Sequence, residues 1–198
     1  MSSIPGLTVI EDFVSPEEEK KLVENCDQQT WSGLGVSPNP ELKRRTQQYG
    51  YLFSYQYRKV LCELGPFPEF VTAVVARIAD QELTSRPPNH LLVNEYEAGQ
   101  GIMPHTDAPS IFGPVIMSLS LLSPCVMQFT HCETGEKIDI CLPRRSMLVM
   151  TDEARYNYKH SISKDLIETL SDGTVIERSR RISFTFRTIV SFTGECSK

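Results

Sequence analysis

Hydrophobic and polar residues alternate along a series of short segments in the second half of the chain. Strict alternation is typical of a strand that buries one face, and the pair Asp172-Gly173 is typical of a tight hairpin turn. Short strands at this spacing predict a mainly β fold, a double-sheet jelly roll with flanking helices. The predicted strands cover residues 115–122, 125–129, 137–142, 146–151 and 181–190.

Two helices are predicted in the first half of the chain. Ser15 followed by Pro16 and three glutamates is typical of a helix start, and this helix should end near Cys26. Hydrophobic residues between Pro68 and Leu83 recur at helical spacing and predict the second helix. Both helices are expected to pack on one side of the jelly roll.

An aromatic stripe lies between the two predicted helices, with Tyr49, Tyr51, Phe53, Tyr55 and Tyr57 at every second position. This alternation predicts one strand with an aromatic face, and basic residues flank it on both sides. Such a stripe is more often half-buried sheet than a platform for stacking bases, and both interpretations stay open here.

A length of 198 residues with 40% hydrophobic and 23% charged residues predicts a single globular domain. We assign this domain to residues 1–190 and treat 191–198 as a C-terminal tail. The net charge of −5 argues against a uniformly basic nucleic-acid-binding protein, but a local basic stripe can still contact phosphates.

The chain shows no secretory signal and no apolar run long enough to cross a bilayer. Its six cysteines lack the paired spacing of a zinc site, which predicts reduced thiols. We therefore expect a monomer in the nucleus, the cytoplasm or both, with no membrane partner.

The most informative candidate chemistry is a histidine and a carboxylate at His105 and Asp107. On a strand, residues two apart share a face, so both side chains could reach one metal ion. His160 is the best candidate for a third ligand. Two histidines and one carboxylate with open positions are the arrangement of non-haem Fe(II) oxygenases.

Two arginines lie six residues apart on the last predicted strand, at Arg181 and Arg187. Even spacing places both on one face, while Ile182, Phe184 and Phe186 occupy the other. An inward-facing guanidinium is costly without a partner, so such residues normally bind anions. A planar fork of donors suits a dicarboxylate.

Together these pieces resemble the AlkB family of Fe(II)- and 2-oxoglutarate-dependent dioxygenases. The resemblance covers roughly residues 40–190 and implies a double-stranded β-helix, which agrees with the jelly roll. It implies that His105, Asp107 and His160 are catalytic residues that hold Fe(II), with 2-oxoglutarate and dioxygen as the other cofactors. The matching stretches are 94–96, 99–107, 154–160 and 181–187.

The resemblance also implies how the co-substrate would be held. Arg181 would pair with the distal carboxylate of 2-oxoglutarate, and Tyr96 would donate a hydrogen bond to it. Asn94 and Arg187 would hold the end that binds the metal.

The resemblance further implies a substrate lid in the region of residues 40–60. Its aromatic residues would be Tyr49, Tyr51, Phe53 and Tyr55. Modified bases in RNA or single-stranded DNA are then the expected substrates. Two alternatives stay open: the same chemistry on a protein side chain or small molecule, and a jelly-roll binding module without enzymatic activity.

Overall fold

The computed structural model describes residues 4–170 and 172–192. Strands dominate this part of the chain, as the alternating pattern predicts. The elements in chain order are β1 Leu7–Ile10, α1 Pro16–Asp27, β2 Thr46–Tyr49, β3 Tyr51–Ser54, β4 Lys59–Glu63, a 3-10 turn Glu69–Val71, α2 Thr72–Asp80, β5 His90–Tyr96, β6 Ile102–His105, β7 Ile116–Leu121, β8 Cys125–His131, β9 Lys137–Leu142, β10 Met147–Met150, α3 Asp152–Tyr156, β11 Tyr158–Ile162, β12 Ile167–Thr169, β13 Val175–Glu177 and β14 Arg181–Arg187.

Two antiparallel sheets form the jelly roll. The larger sheet has the order β1-β10-β7-β14-β5-β2, and the smaller has the order β6-β11-β8-β9. Most neighbours in both sheets are distant in sequence, as expected of a jelly roll rather than a meander of successive hairpins. The predicted fold class is confirmed.

The larger sheet is covered on both faces, and its two faces differ in character. One face packs Ile182, Phe184 and Phe186 of β14 against the two helices, in a core that includes Leu22 and Ile78. The alternation predicted for β14 is therefore confirmed. The other face looks toward the smaller sheet, where a second apolar cluster surrounds a central cavity.

Helix α1 begins as the sequence predicts, with a reciprocal cap at Ser15. The Ser15 hydroxyl accepts from the backbone N–H of Glu18 at 3.2 Å, and the Glu18 carboxylate accepts from the Ser15 N–H at 2.7 Å. Glu18 also pairs with Arg77 of α2 at 2.6 Å, which joins the two helices. The helix ends at Asp27, one residue past the prediction, whereas α2 ends at Asp80 and is shorter than predicted.

The single aromatic strand predicted through residues 49–57 is wrong. Gly50 has φ +80°, and a Cβ there would lie 1.9 Å from the Asn89 carbonyl oxygen. The chain can turn sharply at this position because glycine tolerates left-handed φ and close backbone approach. As a result, β2 ends at Tyr49 and joins the larger sheet, and β3 and β4 form a separate hairpin.

Two smaller predictions have mixed outcomes. Strands β12 and β13 pair across the turn that contains Asp172-Gly173, as predicted. The predicted tail is partly wrong, because Ser191 donates to the Ser110 carbonyl at 2.6 Å and Phe192 packs against Tyr51. Residues 193–198 lie outside the described part of the chain. No helix in the described ranges is both long and apolar enough to cross a membrane.

Candidate active site

The structure brings together the three predicted metal ligands. His105 and His160 are direct partners across β6 and β11, with ring centroids 4.3 Å apart. The Nε2 atom of His160 lies 3.8 Å from Oδ2 of Asp107. One ligand atom from each residue can be chosen so that all three lie within 4.8 Å of one another, close enough to share one ion.

Asp107 reaches this point by a different route from the one predicted. Strand β6 ends at His105, so strand alternation does not position the carboxylate. The loop after β6 does so, and the buried guanidinium of Arg155 holds its backbone. Arg155 donates to the carbonyls of Asp107 at 2.8 Å, Phe112 at 3.1 Å and Gly113 at 3.2 Å.

The Asp107 carboxylate has a lowered pKa, and only one of its two oxygens has a hydrogen-bonding or ion-pair partner among the described residues. Burial alone would raise its pKa, but the Arg187 guanidinium lowers the pKa to about 2. Arg187 contacts Oδ1 at 2.8 Å. The other oxygen, Oδ2, is buried and has no hydrogen-bond partner within the described residues. A buried anionic oxygen beside two imidazoles is suited to binding a metal cation.

Both histidines are prepared to act as neutral ligands. Burial lowers the pKa of His160 to about 3, and burial also lowers that of His105. The Nδ1 atom of His105 lies 2.8 Å from the Met103 carbonyl oxygen, which can only accept. The ring proton therefore sits on Nδ1, and the Nε2 lone pair is free for a metal.

Arg181 provides the second incomplete group of the cavity. Its side chain is only 1% exposed, and Nη2 donates to the Ser120 hydroxyl at 2.7 Å. Its Nε and Nη1 atoms are buried without a hydrogen-bond partner among residues 4–170 and 172–192. A buried cation with two such donors is suited to binding the carboxylate of a diacid.

The other predicted co-substrate residues also line the cavity, which has a volume of about 210 Å³. Tyr96 lies beside Arg181, with the guanidinium carbon 5.5 Å from the ring centroid. Asn94 accepts from Arg44 Nε at 2.7 Å. Arg187 is already paired with Asp107. The predicted direct contact of Arg187 with 2-oxoglutarate stays a prediction.

The four predicted lid residues divide into two pairs. Phe53 and Tyr55 line the cavity. Tyr49 instead packs edge-on against Phe70 in the helix-side core, and Tyr51 packs against Phe192. The turn at Gly50 accounts for this division. The buried Asn39 side chain anchors the backbone of the β3–β4 hairpin. Its amide nitrogen donates to the Phe53 carbonyl, and its amide oxygen accepts from the Tyr55 N–H.

In the sequence Arg44 stands out only as one of the basic residues beside the aromatic stripe, and Arg155 has no predicted role of its own, although both help to build this cavity. Nothing near either residue in the chain marks it as buried. Their partners lie about 50 residues away, and only the folded structure brings them together.

Comparison with known proteins agrees with this geometry. The family model of the 2OG-Fe(II) oxygenase superfamily matches residues 6–187. This chain belongs to that superfamily. The chain is similar to the Xenopus tropicalis protein named tRNA (carboxymethyluridine(34)-5-O)-methyltransferase alkbh8, with 36% identity over 98% of the chain and 33% of the relative. It is 37% identical to the Arabidopsis thaliana alkylated DNA repair protein ALKBH8 homolog, over 98% of the chain and 61% of that protein.

The chain therefore spans between a third and about three fifths of the length of these two relatives. Its fold is similar to that of OsALKBH1, with a TM-score of 0.66 and 15% identity over 95% of this chain and all of that one. The family resemblance to AlkB is confirmed. Fe(II), 2-oxoglutarate and dioxygen are the cofactors of this superfamily, which confirms the cofactor prediction.

Proposed function

We propose that this oxygenase uses Fe(II), 2-oxoglutarate and dioxygen to hydroxylate or demethylate a modified base in RNA or single-stranded DNA. In this proposal His105, Asp107 and His160 hold the iron, and Arg181 anchors the distal carboxylate of the co-substrate. One observation carries it. Among residues 4–170 and 172–192, a carboxylate oxygen of Asp107 and two guanidinium donors of Arg181 have no hydrogen-bond partner, and both side chains line the same buried cavity.

The bound cofactors supply the oxidising chemistry: dioxygen and 2-oxoglutarate become succinate and carbon dioxide as one oxygen atom enters a C–H bond of the substrate. The chain supplies the geometry for this reaction. Arg187 contacts Oδ1 of Asp107, and Oδ2, which has no hydrogen-bond partner among the described residues, would be available to hold the metal. Arg155 fixes the loop backbone, and the apolar walls that include Phe53 and Phe112 keep the cavity dry.

The proposed substrate class is supported by the hairpin beside the cavity. Arg58 lines the cavity near the tip of the β3–β4 hairpin, and Tyr57 is 64% exposed next to it. Lys59 lies 5.9 Å from the Tyr57 ring. An exposed aromatic ring between two cations suits a base and its neighbouring phosphates, in spite of the overall charge of −5.

The names of the two relatives, which refer to tRNA and to alkylated DNA, support nucleic acid as the substrate class. A base must leave the helical stack before an enzyme can act on it, so single strands and loops are favoured over duplex. A protein side chain or small molecule is the competing substrate class, and the acidic composition favours it. The nuclear or cytoplasmic location and the monomeric state stay predictions.

The test is succinate formation across a panel of modified RNA and DNA oligonucleotides, peptides and small molecules, with His160→Ala as the blank. We expect modified single-stranded oligonucleotides to stimulate succinate formation, and their binding to weaken steeply with salt. Stimulation by peptides alone, or oligonucleotide binding that is flat with salt, would move the proposal to the competing class.

A further inference from the structure

Arg44 is a buried arginine at the edge of the cavity, and it forms no ion pair within the described ranges. It is 9% exposed, and no carboxylate within the described residues lies within 4 Å of its guanidinium. Its Nε donates to Oδ1 of Asn94 at 2.7 Å. Its guanidinium carbon is 5.4 Å from the Tyr96 ring centroid, and that of Arg181 is 5.5 Å from the same ring.

The bond to Asn94 decides which way the Asn94 amide faces. A guanidinium has donors and no acceptor, so it can only meet the oxygen of an amide. With Oδ1 turned to Arg44, the Nδ2 group is turned away from it, and Asn94 lines the cavity. A donor at this position suits a carboxylate or keto oxygen, whereas a flipped amide would present an acceptor and repel it.

Arg44 is itself held by the next residue in the chain. Arg45 forms a two-point contact with the Glu95 carboxylate, including Nη2 to Oε1 at 2.7 Å. The Glu95 N–H donates to the Arg45 carbonyl at 3.0 Å, and Arg180 Nε reaches Oε1 of Glu95 at 2.8 Å. Trp31 also lies against the Arg45 guanidinium, at 4.8 Å.

Neighbouring side chains at the end of β5 point to opposite sides of the strand, as strand geometry requires. Asn94 and Tyr96 line the cavity and meet Arg44, whereas Glu95 between them meets Arg45. Because the Arg45–Glu95 pair fixes the backbone at this position, Arg44 is confined to the cavity side. The arrangement prepares the amide before any ligand arrives.

We infer that Arg44 is a positioning residue for 2-oxoglutarate, which turns the Asn94 amide and steadies Tyr96 so that both donate to the co-substrate. The inference rests on the proposed function, because it assumes that the cavity binds this diacid. It assigns Arg44 no contact with the reacting atoms.

The experiment measures 2-oxoglutarate binding by titration calorimetry with the Mn(II)-loaded protein. The variants are Arg44→Gln, Asn94→Ala and the double variant, with Arg86→Gln at an exposed position as the matched control. We expect each single variant to weaken binding about 10-fold and the control to leave it unchanged. The double variant should be no weaker than the weaker single variant, because both substitutions remove the same donor.

Independent, multiplying losses in the double variant would overturn the inference, as would wild-type affinity in Arg44→Gln. A second readout excludes a merely structural effect. At saturating 2-oxoglutarate, Arg44→Gln should retain near-normal kcat with a raised KM for 2-oxoglutarate, and Arg44→Lys should restore part of the affinity. A loss of kcat with unchanged KM would overturn the positioning role.

Binding of 2-oxoglutarate to the wild type and to Arg44→Gln tests the proposed function and the role of Arg44 separately. If the wild-type protein with Mn(II) binds no 2-oxoglutarate, the proposed function falls and the inference falls with it. If the wild type binds the diacid and Arg44→Gln binds it equally well, only the role of Arg44 is lost.

Discussion

The two faces of β14 differ sharply in how well their side chains are satisfied. On the helix side, Ile182, Phe184 and Phe186 are fully buried in an apolar core. On the cavity side, Arg181 has two donors without a partner in the described part of the chain, and Arg187 pairs with a carboxylate whose second oxygen likewise lacks a partner there. Apolar burial on one face stabilises the fold and offsets the cost of incomplete polar groups on the other.

The largest expected effect comes from Asp107→Ala, which removes a candidate metal ligand and the partner of Arg187 on the cavity side. Turnover should be abolished, because one ligand of the metal is removed. Without ligands the variant should also be destabilised by about 3 kcal/mol, since Arg187 is left buried without its partner. Succinate assays and thermal melts with and without Mn(II) check both parts. A Mn(II)-dependent rise in Tm equal to the wild type's would contradict the ligand assignment.

A matched pair of phenylalanines sharpens the comparison. Phe184→Ala on the helix side and Phe129→Ala on the cavity side should each lower the free energy of unfolding by about 3–5 kcal/mol, because both residues are fully buried. Only Phe129 lies next to His160, with ring centroids 6.2 Å apart.

The two variants should therefore differ in their affinity for Mn(II), measured at a temperature where both are folded. Mn(II) affinity should fall in Phe129→Ala and stay at the wild-type value in Phe184→Ala. Denaturant unfolding and metal titration provide the measurements. Equal loss of metal affinity in both variants would show that the two faces are not energetically separate.

Arg181→Leu should separate function from stability. The affinity for 2-oxoglutarate should fall about 10- to 100-fold, the range expected for a lost hydrogen bond to a charged group. The stability of the ligand-free protein should be unchanged or higher, because a buried cation with unused donors is removed. Calorimetric titration and denaturant melts test both expectations.

Arg181→Lys is the control for that change. It keeps the charge but loses the planar fork, so its affinity should lie between those of the wild type and the leucine variant. Affinity that depends on neither substitution would mean that Arg181 does not meet the diacid.

The smallest effect is expected from Ser15→Ala, far from the cavity. Removing the cap of α1 should lower the free energy of unfolding by about 1 kcal/mol. The affinity for 2-oxoglutarate should not change. Denaturant unfolding measures the loss of stability, and titration with 2-oxoglutarate measures the affinity. A weakened affinity would show that the helices are coupled to the site.

Local patterns were sufficient for much of the site. Alternation along β14 predicts that Arg181 and Arg187 share a face, because the side-chain period of a strand is two. His105 and Asp107 do converge, but the reason offered for it is wrong, since β6 ends before the carboxylate. The two-residue spacing was enough to select His105 and Asp107 as candidates. It did not reveal that Arg155 holds the loop that carries Asp107.

Other features depend on contacts that no local pattern contains. The aromatic alternation through residues 49–57 is regular, yet close approach to the Asn89 backbone requires a turn at Gly50. Arg44 and Arg45 look alike in sequence, but partners on β5 send one into the cavity and the other to Glu95. In each case tertiary contact overrides local preference.

The fastening of the β3–β4 hairpin has a consequence for how such a protein diversifies. The hairpin pairs its strands with each other rather than with either main sheet, and Asn39 secures it through main-chain atoms. Replacement of side chains at its tip therefore leaves the anchoring bonds intact. Substitutions at the hairpin tip can therefore change which substrates the mouth of the cavity accepts without altering how the hairpin is anchored.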